Sequence, residues 1–205
     1  TVSQPVVPSA QFLIGLPKAE LHLHVEGTLE PELKLALAAR NNIELDQKTI
    51  AEIEASYEFN DLTSFLAVYY PAMNVLQKEQ DFYELALAYF ERTAKDNVQR
   101  VEMFFDPQAH TSRGVAIADV INGYHRATVD AAQFGIQADL ILCFLRDFSA
   151  ESAAETLAAA LPYKDKFIGV GLDSDERGNP PAKFTEVFAT ARAAGLKLTM
   201  HCDID

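Results

Sequence analysis

The chain has 205 residues, 49% hydrophobic and 23% charged, a globular balance that argues against disorder. Its 17 Lys and Arg stand against 30 Asp and Glu, a formal charge of −13. That balance argues against binding a phosphate backbone or an anionic membrane, so neither nucleic acid nor membrane is an expected partner. Cys143 and Cys202 form no CxxC pair, which fits a reducing compartment. The stretch Thr1 to Gln11 has no basic n-region and no long apolar run, so it does not read as a signal peptide. No apolar run approaches the ~20 residues of a membrane helix. The expectation is a cytoplasmic protein with residues 1–205 in a single domain.

Residues 1–15 carry prolines and small polar side chains and read as a loose N-terminal arm. Lys18 to Val25 alternates and predicts a first strand, followed by a turn at Glu26-Gly27-Thr28 and a helix from Pro31 to about Arg40. Residues 47–96 repeat apolar side chains at helical spacing, with Pro71 kinking or splitting one stretch. A second strand follows at Val98–Phe105, closed by Asp106-Pro107. Next come a helix at Val115–Phe134 with Gly135 as its left-handed cap, and a third strand at Ile136–Leu145. The remaining pattern is a helix at Ala150–Leu161, a strand at Phe167–Leu172, a helix at Pro181–Ala194 and a fifth strand at Leu196–His201.

Strands alternating with helices imply right-handed βαβ units and a parallel sheet. A doubly wound sheet normally announces a phosphate loop after strand one, and the chain has neither GxGxxG nor GxxxxGK[ST]. A (β/α)8 TIM barrel keeps its chemistry at the C-terminal ends of its strands, and the reactive side chains fall there. The fold class is therefore α/β, a (β/α)8 barrel. The chain supplies about its first five strands, with a helical insertion after strand one.

His22 and His24 alternate on the first strand, so their imidazoles face one way, about 6.5–7 Å apart along the backbone. His201 ends the fifth strand on the same rim. Three such histidines with open positions form a catalytic type of zinc site, one that brings the pKa of a bound water towards ~7. The plainer alternatives are ordinary strand residues for the pair and a satisfied core histidine for His201. His110 reads as a loop histidine and His125 as a surface one. Glu26, Asp106, Asp173, Asp175, Glu176, Asp203 and Asp205 form an acidic rim, suited to a hydrogen-bond-donating ligand rather than a phosphate. Aromatics within 57–70, Phe65 among them, could cover a pocket there and exclude water.

The run from Leu16 to Leu29, LPKAELHLHVEGTL, resembles the opening of the adenosine/adenine deaminase family of the amidohydrolase superfamily. VEMFFDPQAHT, from Val101 to Thr111, and the Gly169–Ser174 strand and loop with Glu176 and Pro180-Pro181 look like its adenine deaminase branch. The resemblance runs from Leu16 to His201. It implies a zinc-dependent hydrolase with one Zn2+ per chain. Its reaction is deamination of a 6-aminopurine at C6 to the 6-oxopurine plus ammonia, with adenine favoured and adenosine next. His22, His24 and His201 fall at the family's metal-ligand positions. Glu26 and Ser174, with Asp173 beside it, fall at substrate-side positions. The implied partner is a small-molecule purine, and a homo-oligomer is compatible with the pattern.

Two departures stand out. The family usually reads His-Ala-Gly-Glu after strand five, its glutamate moving the proton, whereas this chain reads His201-Cys202-Asp203-Ile204-Asp205. Isoleucine cannot carry a proton, which leaves Asp203 and Asp205 as the candidate shuttle. Moreover, a full barrel needs about 250 residues, so the chain is expected to be the front part of a longer one. The alternatives are a binding relative without turnover, a deaminase of another amino-heterocycle, and a hydrolase of esters or amides.

Overall fold

A computed structural model describes residues 7–203. Five strands form one sheet: β1 (Lys18–His24), β2 (Val98–Phe105), β3 (Gln137–Leu145), β4 (Gly169–Asp173) and β5 (Lys197–Leu198). Each pairs in parallel with the next, in the order β1-β2-β3-β4-β5. The order never doubles back, so the sheet has none of the reversal that creates a doubly wound switch point. It is the winding of a barrel wall.

The helices α1 (Ala10–Gly15), α2 (Pro31–Asn41), α3 (Ile50–Ala55), α4 (Leu62–Ala72), α5 (Glu79–Thr93), α6 (Pro107–Thr111), α7 (Ile117–Asp130), α8 (Ala150–Ala160) and α9 (Thr185–Ala193) fill the connections. Local chemistry sets several boundaries. Thr49 with Glu52 and Asp61 with Ser64 form capping boxes at α3 and α4. Pro71 falls in the last turn of α4. Gly135, at φ 73°, ends the short 3₁₀ turn after α7.

The strands alternate between two faces. Val101, Met103 and Phe105 of β2, Leu140, Leu142 and Phe144 of β3, and Val170 and Leu172 of β4 join the helices in the main core. The opposite, inner face carries the small cluster Phe104, Ile141 and Cys143 with Ile168. Across it runs the register His24–Phe104–Ile141. Gly171 pairs with Cys143, and a Cβ on Gly171 would stand 2.7 Å from the Cys143 sulfur. The inner layer therefore accepts the thiol because its neighbour has no side chain.

β1 carries a bulge. Glu20 pairs with Val101 and Leu23 with Met103, so β1 spends one more residue than β2 across that interval. His22 lies in this irregular stretch.

Three parts of the sequence reading change. The arm read as loose over 1–15 holds the short helix α1, capped by the Ser9 side chain, while residues 1–6 lie outside the described residues. The turn after Asp106-Pro107 is helical, as α6. The fifth strand is regular only at Lys197–Leu198, although the Thr199 and His201 N–H groups still donate to the Val170 and Leu172 carbonyls. No helix among the described residues is long and apolar enough to cross a membrane.

α5 and α7 pack closely because Gly123 lets them. A Cβ there would meet the Glu79 carbonyl oxygen at 2.4 Å and the Phe82 Cβ at 2.7 Å. Gly123→Ala sets a helix-propensity gain of ~1 kcal/mol against an overpacking cost of ~1–3 kcal/mol. The obstacle is backbone that cannot swing aside, so the cost prevails. A lowered urea midpoint at unchanged slope is the expected result, and a raised midpoint would contradict the packing described.

Candidate metal centre

His22 and His24 leave β1 on the inner face, and His201 comes from the segment after β5. Their Nε2 atoms meet: His22 to His201 at 2.6 Å and His24 to His201 at 3.0 Å. The His22 and His24 ring centroids are 5.5 Å apart. The bulge in β1 fits this close approach, since bulges re-aim side chains near sites.

The orientation of His201 follows from its partner. Its Nδ1 lies 3.1 Å from the Leu172 carbonyl oxygen. A carbonyl can only accept, so Nδ1 carries the proton and Nε2 presents a lone pair to the cluster. Asp173 Oδ2 lies 3.4 Å from His24 Nδ1, on the side of the ring away from the cluster. This carboxylate–imidazole arrangement supports metal-ligating histidines. Burial, and then neighbouring His24, holds His22 and His201 below the ordinary imidazole value. Both are therefore neutral at pH 7, the state that ligates without first losing a proton. Imidazole nitrogen lone pairs at such distances repel one another unless a proton or cation lies among them. The donor set fits zinc.

The cluster opens on a cavity of about 190 Å³. Its floor is His24, His201, Asp106, Asp173 and Ser174, and α4 supplies Leu62, Phe65, Leu66, Tyr69 and Tyr70 as an apolar wall. Asp106 is 1% exposed. Burial, then Asp173 and then Glu26, push its carboxyl well above the usual carboxylate range. Burial likewise raises the Tyr70 hydroxyl, with Asp106 and Asp173 adding to it, and that group stays protonated. Ser174 is buried at φ 75°, a left-handed backbone that costs a non-glycine residue ~1–2 kcal/mol and that clusters at functional sites.

Glu26 lies next to this cavity. It is 3% exposed and lines a neighbouring cavity of about 250 Å³ with Tyr57, Phe59 and Tyr69. Its Oε1 accepts from the Asp106 N–H at 3.1 Å, His110 Nε2 at 3.0 Å and the Tyr124 hydroxyl at 3.2 Å. Arg113 donates to His110 Nδ1 at 2.9 Å, which places the imidazole proton on Nε2, facing Glu26.

The reading of His110 as a loop histidine is thus corrected. It lies on α6, fully buried, because α6 folds it back under the sheet end against Phe82 and Glu26. The carboxylates read together as an acidic rim differ in burial: Asp106 and Asp173 are buried. Asp203 is exposed, at φ 55°, and does not line the cavity, and Asp205 lies outside the described residues.

Sequence reasoning missed Tyr124, an apolar-face position of α7, and Arg146, which no pattern singles out. It also missed Gln108, whose side chain accepts from the Leu145 N–H at 2.8 Å and donates to Ser152 at 2.8 Å. The DPQ run within VEMFFDPQAHT was its one signal.

The adenosine deaminase family model matches residues 17–203. The chain belongs to the adenosine deaminase family. It is 56% identical over 191 residues to an adenine deaminase of Geotalea uraniireducens, covering 93% of this chain and 54% of that relative. Among solved structures it matches an adenine deaminase from Arthrobacter aurescens at TM-score 0.88 and 50% identity, covering 91% of this chain and 57% of that one. An amidohydrolase from Burkholderia ambifaria with bound Zn matches at TM-score 0.85 and 30% identity, covering 96% and 56%. The chain thus spans just over half the length of these relatives, and its sheet is the first part of the family's TIM barrel.

Replacing His110 tests the buried network. His110→Ala removes a fully buried partner of Glu26, a loss expected to cost about 3 kcal/mol or more. An exposed loop histidine would change stability by less than about 0.5 kcal/mol. Urea unfolding of the variant separates the two.

Proposed function

We propose that the full-length protein is a metal-dependent deaminase of a free 6-aminopurine base, taking adenine and water to the 6-oxopurine and ammonia, with adenosine a slower substrate. The observation that carries this reading is the meeting of the His22, His24 and His201 Nε2 atoms at the edge of a small, largely apolar cavity. The names of the relatives support the substrate, and the zinc of the Burkholderia amidohydrolase supports the metal.

One zinc per chain would be held by these three histidines. When bound, it supplies the Lewis acidity that makes a water nucleophilic near neutral pH. The remaining roles fall to side chains. Asp173 orients His24, and the Leu172 carbonyl orients His201. The α4 wall of Leu62, Phe65, Leu66, Tyr69 and Tyr70 keeps bulk water from the reacting carbon. Asp106, which lines the same cavity as Ser174, would donate to a ring nitrogen in its protonated form or accept from a ring N–H. The proton that leaves the water and ends on departing ammonia needs a carrier, and we assign it to the segment after His201. Asp203, turned inward from its exposed position, or Asp205 would carry it.

A second reading has its own observation. Ile204 stands where the family usually has its glutamate, and a protein without that shuttle would bind metal and purine but not turn over.

The test is ammonia release by zinc-loaded, full-length protein. Release from adenine faster than from adenosine, abolished by His24→Ala and by a zinc chelator and restored by zinc, is the expected result. One zinc per chain with no ammonia from either compound would instead establish the silent binder.

A further inference from the structure

We infer that Arg146 is a positioning residue for the metal centre, acting through the main chain of His201. The inference rests on the metal reading above. Arg146 follows β3 and is fully buried. Its own N–H donates to the Asp173 carbonyl at 3.0 Å. Its side chain donates from Nε to the Asn179 carbonyl at 3.0 Å and from Nη1 to the His201 carbonyl at 2.8 Å. Nη2 lies 3.5 Å from the Glu176 carboxylate.

These partners divide into two groups. Asp173, whose carboxylate orients His24, ends β4, and Glu176 and Asn179 belong to the loop that follows it and carries Ser174. His201 belongs to the segment after β5, where regular pairing has already ended at Leu198. The His201 N–H and Nδ1 are both held by Leu172, so β4 fixes the residue from one side. On the other side Cys202 and Asp203 are exposed. Among the described residues, the Arg146 guanidinium is what holds the His201 carbonyl. A planar fork with fixed donor directions can bridge two carbonyls at once, which an ammonium cannot do with the same precision. One buried cation therefore sets the distance between the substrate-side loop and the third imidazole.

Arg146 touches neither a metal nor a substrate position, so its effect should appear in metal affinity. Partners of this kind typically contribute 10–100-fold to it. The experiment is chelator competition for zinc on the full-length protein, comparing wild type, Arg146→Gln, Arg146→Lys, His24→Ala and Gly123→Ala, each under conditions where circular dichroism shows it folded. Arg146→Gln is expected to bind zinc 10–100-fold more weakly. Gly123→Ala, destabilised far from the histidines, is expected to keep wild-type affinity. Should Arg146→Gln not fold, Arg146→Lys decides: several-fold weaker binding supports the inference and wild-type affinity overturns it. Folded Arg146→Gln with wild-type affinity also overturns it, as does a Gly123→Ala loss as large as that of Arg146→Gln. Wild type binding zinc no better than His24→Ala would fell the metal reading itself, and this one with it. Wild type binding zinc while Arg146→Gln matches it would fell this inference alone.

Discussion

The site depends on a distance that a flat sheet forbids. His22 stands on the first strand and His201 just past the fifth, 179 residues apart in the chain. Five strands laid flat at ~4.8 Å spacing would hold the outer two about 19 Å apart, farther than two imidazoles can reach. The observed approach of 2.6 Å exists only because the sheet curls. The curl is set by ordinary forces. Helices cover one face, where Val101, Leu140, Leu142, Val170 and Leu172 are buried. The inner face is kept small at Gly171 so that it can close around Cys143 and Phe104. Thus the chemistry at the rim is a by-product of packing on the far side of the wall.

Burial then divides the acids into kinds that composition cannot distinguish. A chain of charge −13 offers many carboxylates. Asp106, Asp173 and Glu26 are taken out of water at the sheet's C-terminal end, and each is put to a different use. Asp106 has its carboxyl pushed upward by burial and by its acidic neighbours. Asp173 faces an imidazole. Glu26 collects three donors on one oxygen and ties α6, α7 and the end of β2 together. The network around Glu26 is mortar for the site.

Much of this was legible in the sequence, because periodicity reports burial and burial decides the fold. β2 runs from Val98 to Phe105, the bounds read from VQRVEMFF and its closing Asp106-Pro107, and Gly135 takes the left-handed conformation expected of it. HxH on a strand and a histidine at a later strand end were enough to bring three imidazoles together. What escaped has no local signature. His110 and Arg146 are polar residues buried by partners far away in the chain, and a pattern read over ten residues assigns such side chains to the surface. α6 is too short for helical spacing to register. The bulge in β1 changes no residue type and alters only pairing.

That bulge has a consequence for how the chain finds its fold. Two parallel strands with alternating side chains have a translational degeneracy: sliding one by two residues buries the same faces, and sliding by one exchanges them. β1 must settle on β2 after the long helical excursion between them, so nothing local dictates the alignment. The extra residue between Glu20 and Leu23 breaks the symmetry, because its kink matches only one pairing with Val101 and Met103. It acts as a key cut into the strand. The irregularity that aims the imidazoles inward also marks a single alignment among the near-equivalent ones that a smooth strand would permit.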